Sequence, residues 1–179
     1  MSRNIILLTV SLTFLLFLSA SSIAGSDLDR EHQVKAAYIY NFFSYVEWPD
    51  QAFNKEEETL SICIIGNDPF GEVFDRVEGR YAKRKRLVIR RVSSVEDIQG
   101  CHILFVSTSE IKHLASILSS LKKRSILTVS DIEGFTAKGG IIEFFKKGNN
   151  IRFKINIRAL DQAGLKISSK LLELATIIK

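Results

Sequence analysis

Two cysteines, Cys63 and Cys101, and three histidines, His32, His102 and His113, are the residues of this chain whose types could carry chemistry, and their spacing restricts it. No two of them stand at a metal-ligand interval, and neither cysteine forms a CxxC pair. A GxSxG elbow and a phosphate-loop signature are also missing. The reading is a non-enzyme with no metal and no cofactor. In an oxidising compartment the two thiols have one intrachain pairing open to them, Cys63 with Cys101. Such a bond acts either as a structural staple or as a reversible redox sensor, and neither thiol has a local sequence mark of reactivity.

The segment "GNDPFG" is the best candidate for a ligand loop. Gly66, Asn67, Asp68 and Gly71 follow an apolar strand and precede a short helix, where backbone amides can hold an anion. The competing reading is a tight turn, with Asp68 capping the helix and repelling phosphate and Pro69 in the first helical position. A second polar feature is "GRYAKRKRLVIRR", with Arg80, Lys83, Arg84, Lys85, Arg86, Arg90 and Arg91. It reads as a solvated loop running into a strand, or as a patch that steers an acidic partner or rests near anionic lipid. The net charge of +5 is too small to argue for nucleic acid.

These residues need elements to position them. Arg3, an apolar run from Ile5 to Leu18 and small residues at Ser22 and Ala24 read as a secretory signal, with cleavage expected after Ala24 and Ala20 as the competing site. The apolar run is short for a membrane span. Residues 25–179 then form one domain, exported and not retained in a membrane. Its first helix, begun by Asp27 or Asp29 and stopped by Pro49, carries one largely apolar stripe of Val34, Ala37, Tyr38, Asn41, Phe42 and Tyr45 and a second row of Ala36, Ile39, Phe43 and Val46. A narrow polar edge holds Lys35 and Ser44. A surface helix needs one apolar face, so the second row is covered either by the rest of the domain or by another protein.

Strands are expected at 60–66, 86–92, 101–108 and 125–131, separated by a short helix after Asp68, a brief crossover near Val95 to Ile98, and a helix whose apolar face is Ile111, Leu114, Ala115, Leu118 and Leu121. This alternation predicts an α/β fold, a three-layer α/β/α sandwich with a largely parallel sheet. In the order 2-1-3 the strands bearing Cys63 and Cys101 are neighbours. The run "GGIIEFFKKGNNIRFKINI" adds a C-terminal antiparallel hairpin turning at Lys147 to Asn150, with Ile151, Phe153 and Ile155 on its covered face. Its outer strand is expected to be open to pairing with another chain. A final helix with Ile167, Leu171, Leu174, Ala175 and Ile178 ends the chain.

Taken in order, "KAAYIYNFFSYVEWP", a strand ending "IGNDPFG", "GGIIEFF" and "NNIRFKINIRALDQAGLKISSKLLELA" resemble the YfiR-like family of periplasmic regulators over the whole region after the signal. The resemblance implies a periplasmic, dimerising α/β protein that represses an inner-membrane diguanylate cyclase by binding its periplasmic region, so lowering cyclic di-GMP and biofilm formation. An outer-membrane lipoprotein is implied as a second partner. Cys63 and Cys101 match one family cysteine pair by position, whereas a second, more C-terminal pair is missing, which favours a structural role for the first. Tyr40, Phe43, Trp48, Arg84 and Arg86 are the expected partner-binding residues. A periplasmic ligand-sensing domain using Gly66, Asn67, Asp68 and Gly71 is the alternative.

Overall fold

The computed structural model describes residues 22–53 and 59–179; the expected signal up to residue 21 and the acidic stretch Glu56–Glu58 lie outside the described residues. Helix α1 (Ser22–Tyr45) is followed by β1 (Val46–Glu47) and β2 (Thr59–Ile65), then by α2 (Glu72–Asp75), β3 (Tyr81–Ala82), β4 (Lys85–Val92) and β5 (Ile103–Val106). Next come α3 (Leu114–Ser120), β6 (Leu127–Ser130), β7 (Ile142–Lys147), β8 (Asn150–Asn156), α4 (Ile157–Gln162), β9 (Lys166–Ile167), α5 (Ser169–Leu172) and β10 (Thr176–Ile178).

Eight strands form one mixed sheet in the order β10-β8-β7-β6-β5-β2-β4-β3, and β1 with β9 makes a separate antiparallel pair. The run from β4 through β2, β5 and β6 to β7 is parallel; β7 with β8 and β4 with β3 are antiparallel. The central order β4-β2-β5 is the expected one. Side chains along a strand alternate between faces. Ile62 and Ile64 of β2 enter a core built on α1, α2 and α4, while Cys63 and Ile65 enter a second core closed by Leu114 and Ile117 of α3.

Both apolar rows of α1 pack against the domain itself, except for Ala37. Ala36, Ile39, Phe42, Phe43 and Val46 are all buried, and the face left to solvent is Gln33, Ala37, Asn41 and Ser44. Lys35, read as part of a polar edge, is instead only 5 % exposed. Its ammonium reaches Glu31 at 2.6 Å and Asp131 at 2.7 Å, so the charge is carried inward with its partners. The helix already runs through Asp27 and Asp29, which therefore do not start it.

Three further expectations are corrected. The helix after β5 begins only at Leu114, because a 3-10 turn (Thr108–Glu110) intervenes; Ile111 is exposed and Ile117 takes the buried position. The chain does not end in a helix. Ile167 lies in β9 against Val46, α5 is a single turn and Ile178 belongs to β10. The hairpin turn has two central residues, with Gly148 at φ +60° and Lys147 facing Asn150, as a type II′ turn requires. Its outer strand β8 is not open: β10 pairs with it in parallel over Thr176 to Ile178. The sheet's edges are β10 and β3.

Candidate functional site

The β3–β4 corner gathers all five expected partner-binding residues around the end of α1. β3 and β4 are joined by the two-residue turn Lys83–Arg84, with Ala82 opposite Lys85 and Tyr81 opposite Arg86. Both turn residues have positive φ, +49° and +66°, the backbone a two-residue hairpin needs to match strand twist, and one that glycine or asparagine adopts far more readily. Lys83, Arg84 and Lys123 are the non-glycine residues with positive φ among the described residues, and all three are cations.

The corner is bolted down from beneath. Lys83 donates through Nζ to the Val46 carbonyl at 2.7 Å and lies over the Trp48 ring at 5.7 Å. Trp48 donates through Nε1 to the His102 carbonyl at 3.3 Å and packs on Phe43, ring centres 5.4 Å apart. Tyr40 donates its hydroxyl hydrogen to the Tyr81 carbonyl at 3.1 Å. Phe43 is 0 % exposed and Trp48 is buried, so the two residues form the base of the corner and present nothing to a partner. That corrects their expected place on the outer surface. Long aromatic side chains at the end of an amphipathic helix are needed to close the core here.

What the corner shows to solvent is Tyr81, 70 % exposed, with Arg80, Arg84 and Arg86. None of the three arginines forms an ion pair with a described residue. Tyr81 and Arg86 share a face because they stand directly across the strands. Tyr81 was missed in the sequence; its placement between Arg80 and a turn whose residues favour neither strand nor helix was the available signal. Exposed guanidiniums beside an aromatic ring suit recognition of carboxylates, with Arg as a planar bidentate donor.

The candidate ligand loop is closed by hydrogen bonds within the chain. Gly66 has φ +87°, and a Cβ there would come within 2.3 Å of Ser109 Oγ, so this position requires glycine. The amide of Asn67 donates to Ser109 Oγ at 2.9 Å and that of Phe70 to Asp68 Oδ1 at 2.7 Å. Asp68 thus closes a local turn and does not cap a helix; α2 begins only at Glu72, after Gly71. Arg91 spans Asp68 and Asp75 at 2.8 Å each. Those two hydrogen-bonded carboxylates raise its affinity for its proton above the ordinary arginine value. Two amides an anion would need are already engaged, beside carboxylates that oppose it.

Cys63 and Cys101 are joined by a disulfide, Cα atoms 5.8 Å apart, ordinary disulfide spacing. Cys63 pairs with Leu104 across β2 and β5, whereas Cys101 lies two residues before β5 begins and not in the strand expected from residue 101, and its sulfur bonds to Cys63 from that approach. Closing 38 residues of chain restrains the unfolded state by up to about 4 kcal/mol in the chain-entropy account. The histidines are dispersed: the amide of Ser61 donates to His102 Nδ1 at 3.1 Å, His113 meets Glu110 at 3.1 Å, and His32 lies edge-on to Phe70. No three metal-binding side chains converge among the described residues. Among the described residues no helix is long and apolar enough to cross a membrane.

The sequence model of the family described as YfiR/HmsC-like matches residues 32–176, from the first helix to β10. No curated protein matches the sequence. Among solved structures, a conserved domain protein from Vibrio cholerae O1 biovar El Tor is 12 % identical with a TM-score of 0.52, over 83 % of this chain and 60 % of that one. An ABC domain from Streptococcus pneumonia, solved with L-Trp, is 11 % identical with a TM-score of 0.48, over 72 % and 57 % of the two chains. The chain spans about 60 % of the length of these structures.

Proposed function

Since this chain belongs to the YfiR/HmsC-like family, we propose that it is a periplasmic repressor, working without catalysis, that binds the periplasmic region of an inner-membrane diguanylate cyclase and lowers cyclic di-GMP output. The family match across residues 32–176 is the observation that carries this reading. The Cys63–Cys101 disulfide fits an oxidising compartment. Binding represses only if the repressor prefers the receptor's inactive state, and the shift in output equals that difference in affinity. An outer-membrane lipoprotein that competes for the repressor and a homodimer of this chain belong to the same reading.

The β3–β4 corner is the surface we assign to the receptor. Arg80, Arg84 and Arg86 beside Tyr81 suit an acidic receptor surface, where unpaired cations raise the association rate and select the partner. The test is binding of the purified receptor periplasmic region to the wild type and to an Arg84→Glu, Arg86→Glu double variant, with thermal unfolding run on both. The expected result is at least tenfold weaker binding, strongest at low salt, with little change in melting temperature. Equal binding by a folded double variant would remove the corner from the interface, and no binding by the wild type would remove the receptor. The ligand-sensing alternative is disfavoured by the Gly66 to Gly71 loop, whose Asn67 and Phe70 amides are taken by Ser109 and Asp68.

A further inference from the structure

The two sulfurs of the disulfide occupy unlike surroundings. Cys63 is 0 % exposed in the middle of β2, in a core with Ile65, Leu104 and Val106. Cys101, 5 % exposed, lines an open cleft of about 550 Å³ together with Gln99, Gly100, Lys123 and Arg124. The Arg90 guanidinium stands on the same sulfur, Nη1 to Cys101 Sγ at 3.9 Å. Its direction is fixed by two backbone bonds: Nη1 donates to the Gln99 carbonyl at 2.7 Å and Nη2 to the Asp97 carbonyl at 2.8 Å. One cysteine therefore has access to a cleft and a rigidly held cation, and the other has neither.

We propose that Cys101 is the sulfur through which this chain exchanges with an external disulfide, that Arg90 positions and stabilises its thiolate, and that Cys63 completes the bond from inside the core. The external partner is a disulfide of a thiol oxidoreductase or of a small thiol. In the first step the Cys101 thiolate attacks one sulfur of that disulfide; the external S–S bond breaks, one external thiolate leaves, and a mixed disulfide forms on Cys101. In the second step the Cys63 thiolate attacks Cys101 Sγ and expels the other external thiolate. The protons given up by Cys63 and Cys101 end on the two external thiols. The protein pair loses two electrons and the external disulfide gains them.

The same geometry fixes the reverse direction. A reductant reaches Cys101 first, and the leaving group is then the Cys63 thiolate, formed in an apolar core that disfavours its charge. The same charge must form on Cys63 in the second step of formation, so its burial slows that step and its reverse alike. The cleft therefore decides which sulfur meets the external partner, in both directions. The cation effect has a calculable size. Where a neighbouring cation raises a thiolate's population about tenfold, the accompanying loss of intrinsic nucleophilicity is about threefold, a net gain of about threefold in rate.

The inference is independent of the receptor and is tested on the full chain alone. The reduced wild type is mixed with oxidised glutathione, quenched by acid at early times and mapped by mass spectrometry, in buffer and in urea. In buffer the first adduct is expected on Cys101, at least tenfold ahead of Cys63; in urea the two cysteines react alike. Arg90→Gln is expected to slow adduct formation about threefold below pH 7 and to move its pH profile upward, with Arg90→Lys restoring part of the rate. A neutral disulfide, hydroxyethyl disulfide, separates this effect from attraction of glutathione to Lys123 and Arg124. Equal labelling in buffer, including labelling of a reduced chain that has lost its fold, overturns the proposal. So does an Arg90→Gln profile that coincides with the wild type.

Discussion

Two charged regions of this molecule are built on opposite principles. Under α1, Lys35 lies between Glu31 and Asp131, and Glu31 also binds Lys146; on β7, buried Glu143 accepts from Lys154 at 2.7 Å and from the Thr136 amide and hydroxyl at 3.0 and 2.7 Å. At the β3–β4 corner, Arg80, Arg84 and Arg86 stand exposed without ionic partners among the described residues. A charge withdrawn from water must be paired and hydrogen-bonded, whereas one left in water needs no partner and remains available to another molecule. The paired groups tie elements together, and the unpaired ones mark the surface assigned to the receptor.

Phe43→Glu should break the fold outright. It would bury an unpaired carboxylate at a position with no exposure, beside Trp48, and remove a phenyl ring worth about 3 kcal/mol of burial. Loss of the cooperative unfolding transition by circular dichroism is the expected reading. A folded Phe43→Glu chain would mean that the base of the corner is not the packed layer described. Lys35→Met comes next, at about 3 kcal/mol, since it leaves Glu31 and Asp131 without their shared cation while Lys146 still serves Glu31. Urea denaturation measures it, and an unchanged midpoint would show this cluster to be no more than surface charge.

Acid provides a third test. Burial by itself raises the carboxyls of Glu31 and Glu143, but the Lys146 and Lys35 ammoniums around the first, and Lys154 with Thr136 around the second, more than offset it and hold both below the ordinary glutamate value of 4.5. A carboxyl depressed in the folded state contributes its stability in full above the unfolded value and loses it as pH falls through the folded one. Melting temperature should therefore drop from about pH 4.5 downward, and less steeply in Glu143→Gln than in the wild type. Parallel curves for the two would sever this carboxyl from acid stability.

The smallest expected effect sharpens the contrast most. Arg84→Gly removes a side chain from a left-handed turn position at φ +66°, and should raise stability by up to about 1 kcal/mol. Receptor binding should weaken at the same time. A more stable and weaker-binding variant is the signature of a residue retained for contact. A less stable one would mean that Arg84 supports the hairpin.

The regular elements were legible wherever one local pattern sufficed. Isoleucine-rich β2, the alternating Ile151, Phe153 and Ile155 of β8, and the glycine turn at Gly148 each satisfy a single demand that the residues state themselves. The C-terminal segment was not legible, because Leu171, Leu174 and Ile178 keep helical spacing while β9 and β10 gain hydrogen bonds from β1 and β8, partners remote in sequence. Tertiary pairing overrides weak local preference in such short runs. The candidate site was legible in composition and not in orientation. The basic run and the aromatic end of α1 are plain in the sequence; which of Tyr40, Phe43, Trp48 and Tyr81 faces water depends on how β3 folds back over the helix.

By itself, then, the sequence determined the α/β alternation, the parallel centre of the sheet, the possible pairing of Cys63 with Cys101, and the family resemblance. Tertiary structure decided that the domain covers both apolar rows of α1 apart from Ala37, that Lys35 turns inward, and that only one sulfur of the disulfide meets a cleft and a cation. The reason is one of range. Periodicity reports how a segment meets its own neighbours, whereas burial and charge pairing are fixed by groups that the fold brings from distant parts of the chain.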